Sequence, residues 1–330
     1  MKRLYIILAS CLALVCCTGG GKNDNSAAAA SKARSTGGAR EVVAVIDNDF
    51  FSQAESDSVR TYFAPVMFGL PQEETETKLY VIPRSGFSHL YQTHRNIILI
   101  EKDTVNQVKT IKDAFAAPQT LVRISATDIN SLNELMNKSS ADILKSFHDG
   151  DIAFLQEKSA RIAHKKLHQI RTMGVELTVP NYYRPVRIEP DFIWLLKDVK
   201  KGKHLGTVNI LIYKYDSQGN AVDPIMLLDE ITKKYVPGPS DGSYMTTEKS
   251  VFYPMSEQTE LDGQFAIQTR GLWRTENDFM GGPFINYTVY DDKSDIVYGI
   301  DGFVYFPSQD KAHYIFELES ILKTFKIAGR

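Results

Sequence analysis

The longest apolar run in the chain comes first: residues 4–15 are uninterrupted by charge behind Lys2 and Arg3. That length fits the h-region of a secretory signal and falls short of the roughly 20 apolar residues a permanent span requires. Residues 18–40 then lack any large apolar side chain and are rich in Gly, Ser, Ala and Asn, the composition of a flexible linker. From Glu41 onward the pattern becomes that of a folded body. Val42, Val43, Val45 and Ile46 predict a strand ending at Asp47-Asn48-Asp49, and a helix over residues 52–63 follows ahead of Pro65. Further β-type runs at 79–82, 96–101 and 121–125 predict a mixed sheet without a strict βαβ repeat.

The clearest helical periodicity is Ile129, Leu132, Met136, Ile143 and Phe147 behind a capping Asp128, with Asp149-Gly150 as a stop. A second helix is expected from 151 or 152 to about 173, closed by Gly174, so that the two form an antiparallel or sharply bent pair. Each carries a single apolar stripe and packs it on a sheet. The second half predicts strands at 175–179, 192–196, 207–215, 264–275, 284–290 and 296–306, a helix at 223–234, and a closing helix at 310–326. Gly302 inside the last strand suggests a bulge. The fold class expected is α+β, with mixed, largely antiparallel sheets packed against helices. The domain plan is a leader at 1–16, an anchor and tether at 17–40, an N-terminal lobe with the helical pair at 41–174, and a C-terminal lobe at 175–330.

Cysteine usage sharpens the picture. Cys11, Cys16 and Cys17 are the only cysteines, so the body after them has no thiol for a disulfide, a zinc-thiolate site or a nucleophile. Leu14-Val15-Cys16-Cys17 resembles the bacterial lipobox, which implies cleavage before Cys17 and acylation of its sulfur. Loss of Lys2 and Arg3 with the leader takes the net charge from −2 to −4. That balance argues against a nucleic-acid partner, which needs a basic stripe to neutralise phosphates.

Several motifs carry a family resemblance: Thr93-His94-Arg95-Asn96-Ile97, the Pro237 to Tyr244 segment, Arg270-Gly271-Leu272-Trp273, the Asn277 to Phe284 segment, and the Tyr314 to Lys326 terminus. Together they resemble a domain-of-unknown-function family of Bacteroidota envelope lipoproteins over nearly all of residues 41–326. The resemblance implies no activity. From Pro180 onward the order of elements is similar to the Mog1/PsbP-like α/β/α sandwich, and a fold alone does not give a function.

Candidate chemistry is sparse. Gly238-Pro239-Ser240-Asp241-Gly242 has the letters of a nucleophile elbow, but prolines flank its first glycine and a β-type run follows where a helix should. His164 and His168 have i, i+4 spacing on the expected second helix, yet Arg161, Lys165 and Lys166 surround them and disfavour a dication. Arg270 and Arg274 should share one face of a strand, Trp273 the other, with Glu276 and Asp278 just beyond. They form either an internal ion-pair network or a binding cleft, in which Arg270, Trp273, Arg274 and Asp278 are the candidate ligand-binding residues. The sequence thus predicts a lipid-anchored envelope protein, attached through Cys17 to the outer membrane and facing the periplasm. Its expected role is a non-enzymatic binding or scaffolding module for an envelope protein, peptide or glycan, without cofactor, metal or catalytic residues. The alternative is a hydrolase using Ser240 or a carboxylate pair.

Overall fold

The computed structural model describes residues 32–165 and 167–329. The leader, Cys17 and most of the tether lie outside the described residues. The compact body begins at Ala33, eight residues before the expected start. Strand β1 (Ala33–Arg34) pairs in parallel with residues Ala116–Ala117. Arg95 then holds the backbone carbonyl of Gly37 at 3.0 Å. Backbone pairing and one buried cation dock a segment whose composition reads as linker.

The first lobe contains β2 (Glu41–Ile46), α1 (Gln53–Phe63), β3 (Lys78–Pro83), α2 (His89–Gln92), β4 (Asn96–Lys102), β5 (Gln107–Lys112), β6 (Ala116–Ala117) and β7 (Thr120–Ala126). Its five-stranded sheet has the order β3-β2-β4-β7-β5. The first four strands are parallel, and β5 is an antiparallel edge. Residues 42–46 of β2 are all buried, as a strand covered on both faces must be. Edge strand β5 is polar and largely exposed, which is why periodicity does not announce it.

Helix α3 (Ile129–Arg161) corrects the expected helical pair: it runs unbroken through Gly150 for 33 residues. Glycine closes a helix when it takes a positive φ, and Gly150 is not among the residues that do. Instead Asp151 and Ile152 continue the buried stripe, and Asp151 is fixed from outside the helix by Arg95 at 3.3 Å and by Asn96 Nδ2 at 3.0 Å. Tertiary anchoring thus outweighs the ~1 kcal/mol that a mid-helix glycine costs. The chain leaves the helix at Ile162, the N–H of His164 bonds the Val179 carbonyl at 2.8 Å, and a short helix α4 (His168–Thr172) follows. His164 and His168 therefore share no helix face.

The second lobe has β8 (Val175–Glu176), β9 (Arg184–Glu189), β10 (Phe192–Lys201), β11 (His204–Asp216), α5 (Pro224–Tyr235), β12 (Tyr244–Thr247), β13 (Met255–Leu261), β14 (Gln264–Glu276), β15 (Gly281–Tyr290), β16 (Ile296–Tyr305), α6 (Ala312–Leu322) and β17 (Lys326–Ile327). An eight-stranded antiparallel sheet runs β12-β14-β15-β16-β11-β10-β9, with β13 also on β14. The β13–β14 hairpin turns at Asp262-Gly263, both with positive φ, the Asp-Gly signature of a tight hairpin. Helix α5 packs Leu227, Leu228 and Ile231 on the face carrying Leu211 and Trp273. Helix α6 packs Ile315, Leu318 and Ile321 on the opposite face, with Ile210, Ile300 and Val304. The whole is the α+β fold expected, its larger sheet covered on both sides.

Two expectations change at this C-terminal end. The closing helix stops at Leu322, and Lys326 pairs with Glu176 in a two-stranded sheet. Gly302 forms no bulge, since the β16 register is continuous on both sides. Its role is close approach: a Cβ there would meet the Cβ of Leu318 at 2.8 Å. Gly302→Val should therefore cost about 1–3 kcal/mol in urea denaturation by overpacking, and an unchanged midpoint would contradict this contact.

On the α5 face, Asp301 is buried without a cation. Its Oδ1 accepts from Asn286 Nδ2 at 2.6 Å. Burial pushes its pKa up to about 7, against hydrogen bonds from Asn286 and Tyr213 that pull the other way. A carboxyl with a raised folded-state pKa stabilises most below its unfolded pKa, and that contribution is lost as pH rises through about 7. Asp301→Asn, which resembles the protonated acid, should match the wild type near pH 4 and exceed it at pH 8 by on the order of 2–4 kcal/mol. Parallel pH profiles of the two proteins would refute the assignment.

Candidate functional site

Loop 65–77, between α1 and β3, reaches over to the second lobe. It folds on itself through Met67 N–H to the Glu74 carbonyl and Glu76 N–H to the Pro65 carbonyl, each at 2.8 Å. Its tip residue Phe68 contacts Phe252, ring centroids 4.5 Å apart. Its Glu74 carboxylate accepts the N–H groups of Lys311 at 2.7 Å and Ala312 at 3.0 Å. Those are orphan donors at the start of α6, so one lobe caps a helix of the other.

Under this loop lies a cavity of about 470 Å³, within the range of small-molecule sites. The first lobe contributes Arg40 from the turn before β2, Val42 of β2, Met67 and Phe68 of the loop, and Leu144, Phe147, His148 and Asp151 of α3. The second contributes Met255, Gln268 and Arg270 from the β13–β14 hairpin and Phe316 and Glu319 from α6. An apolar wall thus meets a charged end.

Glu319 organises that end. Its side chain is only 3% exposed, yet Arg270 Nη2 lies at 2.7 Å, Lys323 Nζ at 3.1 Å and His148 Nε2 at 3.2 Å. Burial opposes the carboxylate, but Arg270, Lys323 and His148 outweigh it and hold Glu319 below the ordinary value. Burial lowers His148 in turn, despite Glu319 beside it. Burial pulls Arg270 down, but Glu319, Tyr287 and Glu76 together outweigh it and leave the group raised. Its contact uses one nitrogen, so this five-donor group retains N–H groups beyond the pair.

Arg40 marks the second charged corner. Its φ is +69°, an uncommon conformation for a residue with a Cβ and one that clusters at functional sites. Three bonds hold it there: its N–H to Asp151 Oδ2 at 2.7 Å, Nε to the Glu76 carbonyl at 2.9 Å, and Nη2 to the Thr75 carbonyl. Burial raises Asp151 to about 6, against the N–H of Arg40, the charge of Arg95 and the amide of Asn96. Arg95 itself stacks 3.6 Å over the Phe154 ring. These groups are committed to positioning. Among the described lining residues, Thr77 carries the one hydroxyl, and it donates to the Phe63 carbonyl.

Of the residues singled out from sequence, Arg270 lines this cavity and the others lie elsewhere. Trp273 points to the opposite face, with Nε1 on the Val304 carbonyl at 3.2 Å and its ring edge-on to Phe303. Arg274 pairs with Glu276 at 2.7 Å and Glu248 at 3.5 Å. Glu248 is held down to about 2 by the Ser250 hydroxyl and the N–H groups of Ser250 and Val251. Asp278 accepts from the Ser240 hydroxyl and from the Phe279 N–H at 2.6 Å. The arginines share a face, but four residues along a strand is about 13 Å. Ser240 sits in a turn closed by Ser243 N–H on its carbonyl at 3.0 Å, which is not a strand-to-helix elbow. His164 and His168 line a separate, cationic cavity.

Sequence reasoning missed Glu319, His148, Asp151 and Arg40, which no short motif joins. Glu319 alone left a signal, as an acid four residues after Ile315 and three before Leu322, on the apolar face of the terminal helix.

Two family models match, both described as domains of unknown function: DUF8532 over residues 35–160 and DUF4837 over residues 163–324. The cavity draws its walls from both matched regions. No curated protein matches the chain. Among solved structures the chain is similar to LpqN, described as involved in cell envelope biogenesis of Mycobacterium tuberculosis. That match has 14% identity and a TM-score of 0.28, covering 46% of this chain and 82% of that one.

Breaking a buried pair from one side leaves an uncompensated charge, at about 3–5 kcal/mol. Glu319→Ala and Arg270→Ala should each lose on that order in urea denaturation, and the double variant should lose less than their sum. Strict additivity would remove the coupling.

Proposed function

We propose that this chain is a lipid-anchored protein of the bacterial envelope that binds a small amphipathic ligand in the cavity between its lobes, without catalysing a reaction on it. The observation that carries the reading is the cavity itself. An apolar wall of Met67, Phe68, Phe147, Met255 and Phe316 meets a charged end whose carboxylates and guanidinium groups are already positioned by other protein groups. Pre-positioned polar groups beside an apolar wall suit a ligand that is part apolar and part polar, such as a peptide segment of an envelope protein.

Attachment through acylated Cys17 at the outer membrane, on the periplasmic side, rests on the leader and lipobox. The single acid in Lys22-Asn23-Asp24-Asn25 supports that side, because an acidic surface-export tag would carry more. A lipoprotein cysteine with more than one chain anchors stably, where one chain does not. The resemblance of its motifs to a family of Bacteroidota envelope lipoproteins supports this reading. The helices on both faces of the eight-stranded sheet support a Mog1/PsbP-like plan for the second lobe.

Two experiments test the proposal. Native mass spectrometry of the full chain extracted in mild detergent should show a bound small molecule or peptide that is absent from Ala141→Trp, which fills the cavity from an exposed position of α3. Identical spectra for the two proteins would overturn the binding reading. Metabolic labelling with a palmitate analogue should mark the wild type and spare Cys17→Ser, and an unmarked wild type would overturn the anchor.

A further inference from the structure

Away from the first cavity, a second concavity of about 440 Å³ lies where α3 gives way to α4. Residues from distant parts of the chain converge on it: His164, Lys165, His168 and Arg171 from this turn and helix, and Lys326 from β17. Among the described residues lining it, Glu176 is the single acid, and its carboxylate is spent on Arg171 at 2.6 Å. Such a concentration of basic groups is not the chain's average, because its net charge is −2.

The framework under these side chains is fixed. Lys326 faces Glu176 in the β8–β17 pair, the Ala328 N–H bonds the Gly174 carbonyl at 2.8 Å, and the Thr178 N–H bonds Thr324 Oγ1 at 2.9 Å. Ile170 and Val179 are buried behind it. A fold that holds like charges together on a rigid concave surface works against their repulsion. Low-dielectric walls focus the resulting field and concentrate anions there. The donors are ammonium, guanidinium and imidazole groups with the Thr178 hydroxyl alongside, a set suited to the several oxygens of a phosphate.

We propose that this concavity is a binding site for a phosphate group, presented either by an anionic lipid headgroup or by a free phosphate in solution. It is separate from the cavity between the lobes and stands whether or not that cavity binds a ligand. Lys165 and Lys326 supply the attracting charge from exposed positions, so the fold does not depend on them. Arg171 is shared with Glu176.

The test uses the full chain purified in maltoside micelles and two probes: radiolabelled inorganic phosphate in equilibrium dialysis, and micelles doped with phosphatidylglycerol, read by thermal melting. Micelles doped with diacylglycerol, which lacks the phosphate, are the reference. At least one phosphate probe should bind saturably. The Lys165→Glu/Lys326→Glu variant should weaken that binding by about tenfold or more, as expected for reversing two basic residues near an anion. Lys109→Glu/Lys200→Glu, an equal change of charge at exposed positions elsewhere, should leave it within about twofold. Binding of the lipid alone assigns the headgroup as the source, and binding of inorganic phosphate assigns the free anion. The proposal is overturned if neither probe binds, if diacylglycerol acts as phosphatidylglycerol does, or if both double variants lose binding equally.

Discussion

Glu319 is the constraint around which the two lobes are arranged. A carboxylate that is 3% exposed is tolerable only with charged partners at hand, and it takes Arg270 from β14 and Lys323 from its own helix, with the His148 imidazole of α3 beside them. The requirement fixes how α6 lies against α3 and how the β13–β14 hairpin meets both. Apolar residues replacing the whole cluster could pack as well or better, so the ion cluster is poor evidence for stability and better evidence for a specific mutual orientation. The cavity is the space this orientation leaves open.

The two sheets solve their packing problems differently. In the first lobe, parallel strands bury both faces, and the strand cores are runs of Val and Ile. In the second, long antiparallel strands alternate, so that Leu211 and Tyr213 serve the α5 side while Ile210 and Ile212 serve the α6 side. Close approach takes over where alternation has no room. The Tyr213 ring occupies the place a side chain on Gly299 would take, and α6 does the same above Gly302.

Much of this architecture was legible because it is local. The strand at β2, the helix α1, the Asp128 cap, the α5 helix and the long strands β14 to β16 follow from period and capping alone. What failed was non-local. Gly150 reads as a helix stop until Arg95 and Asn96 are seen holding Asp151, and Ala33 reads as linker until it pairs with Ala116. Edge strand β13 is polar enough to pass for loop, although Asp262-Gly263 signalled its hairpin. The candidate site was the least legible part. Arg270 was found through its strand, but its partner lies 49 residues away, and the cavity exists only once both lobes are in place.

Helix α6 begins without a capping side chain of its own, and the carboxylate that serves it comes from Glu74, 237 residues earlier. Contacts of such separation carry a large loop-closure cost and tend to form late. The start of this helix is therefore secured only when the first lobe is available to receive it. The N-terminal end of one lobe's last helix is thus a shared property of both halves, since its first donors are met by a side chain the other half supplies.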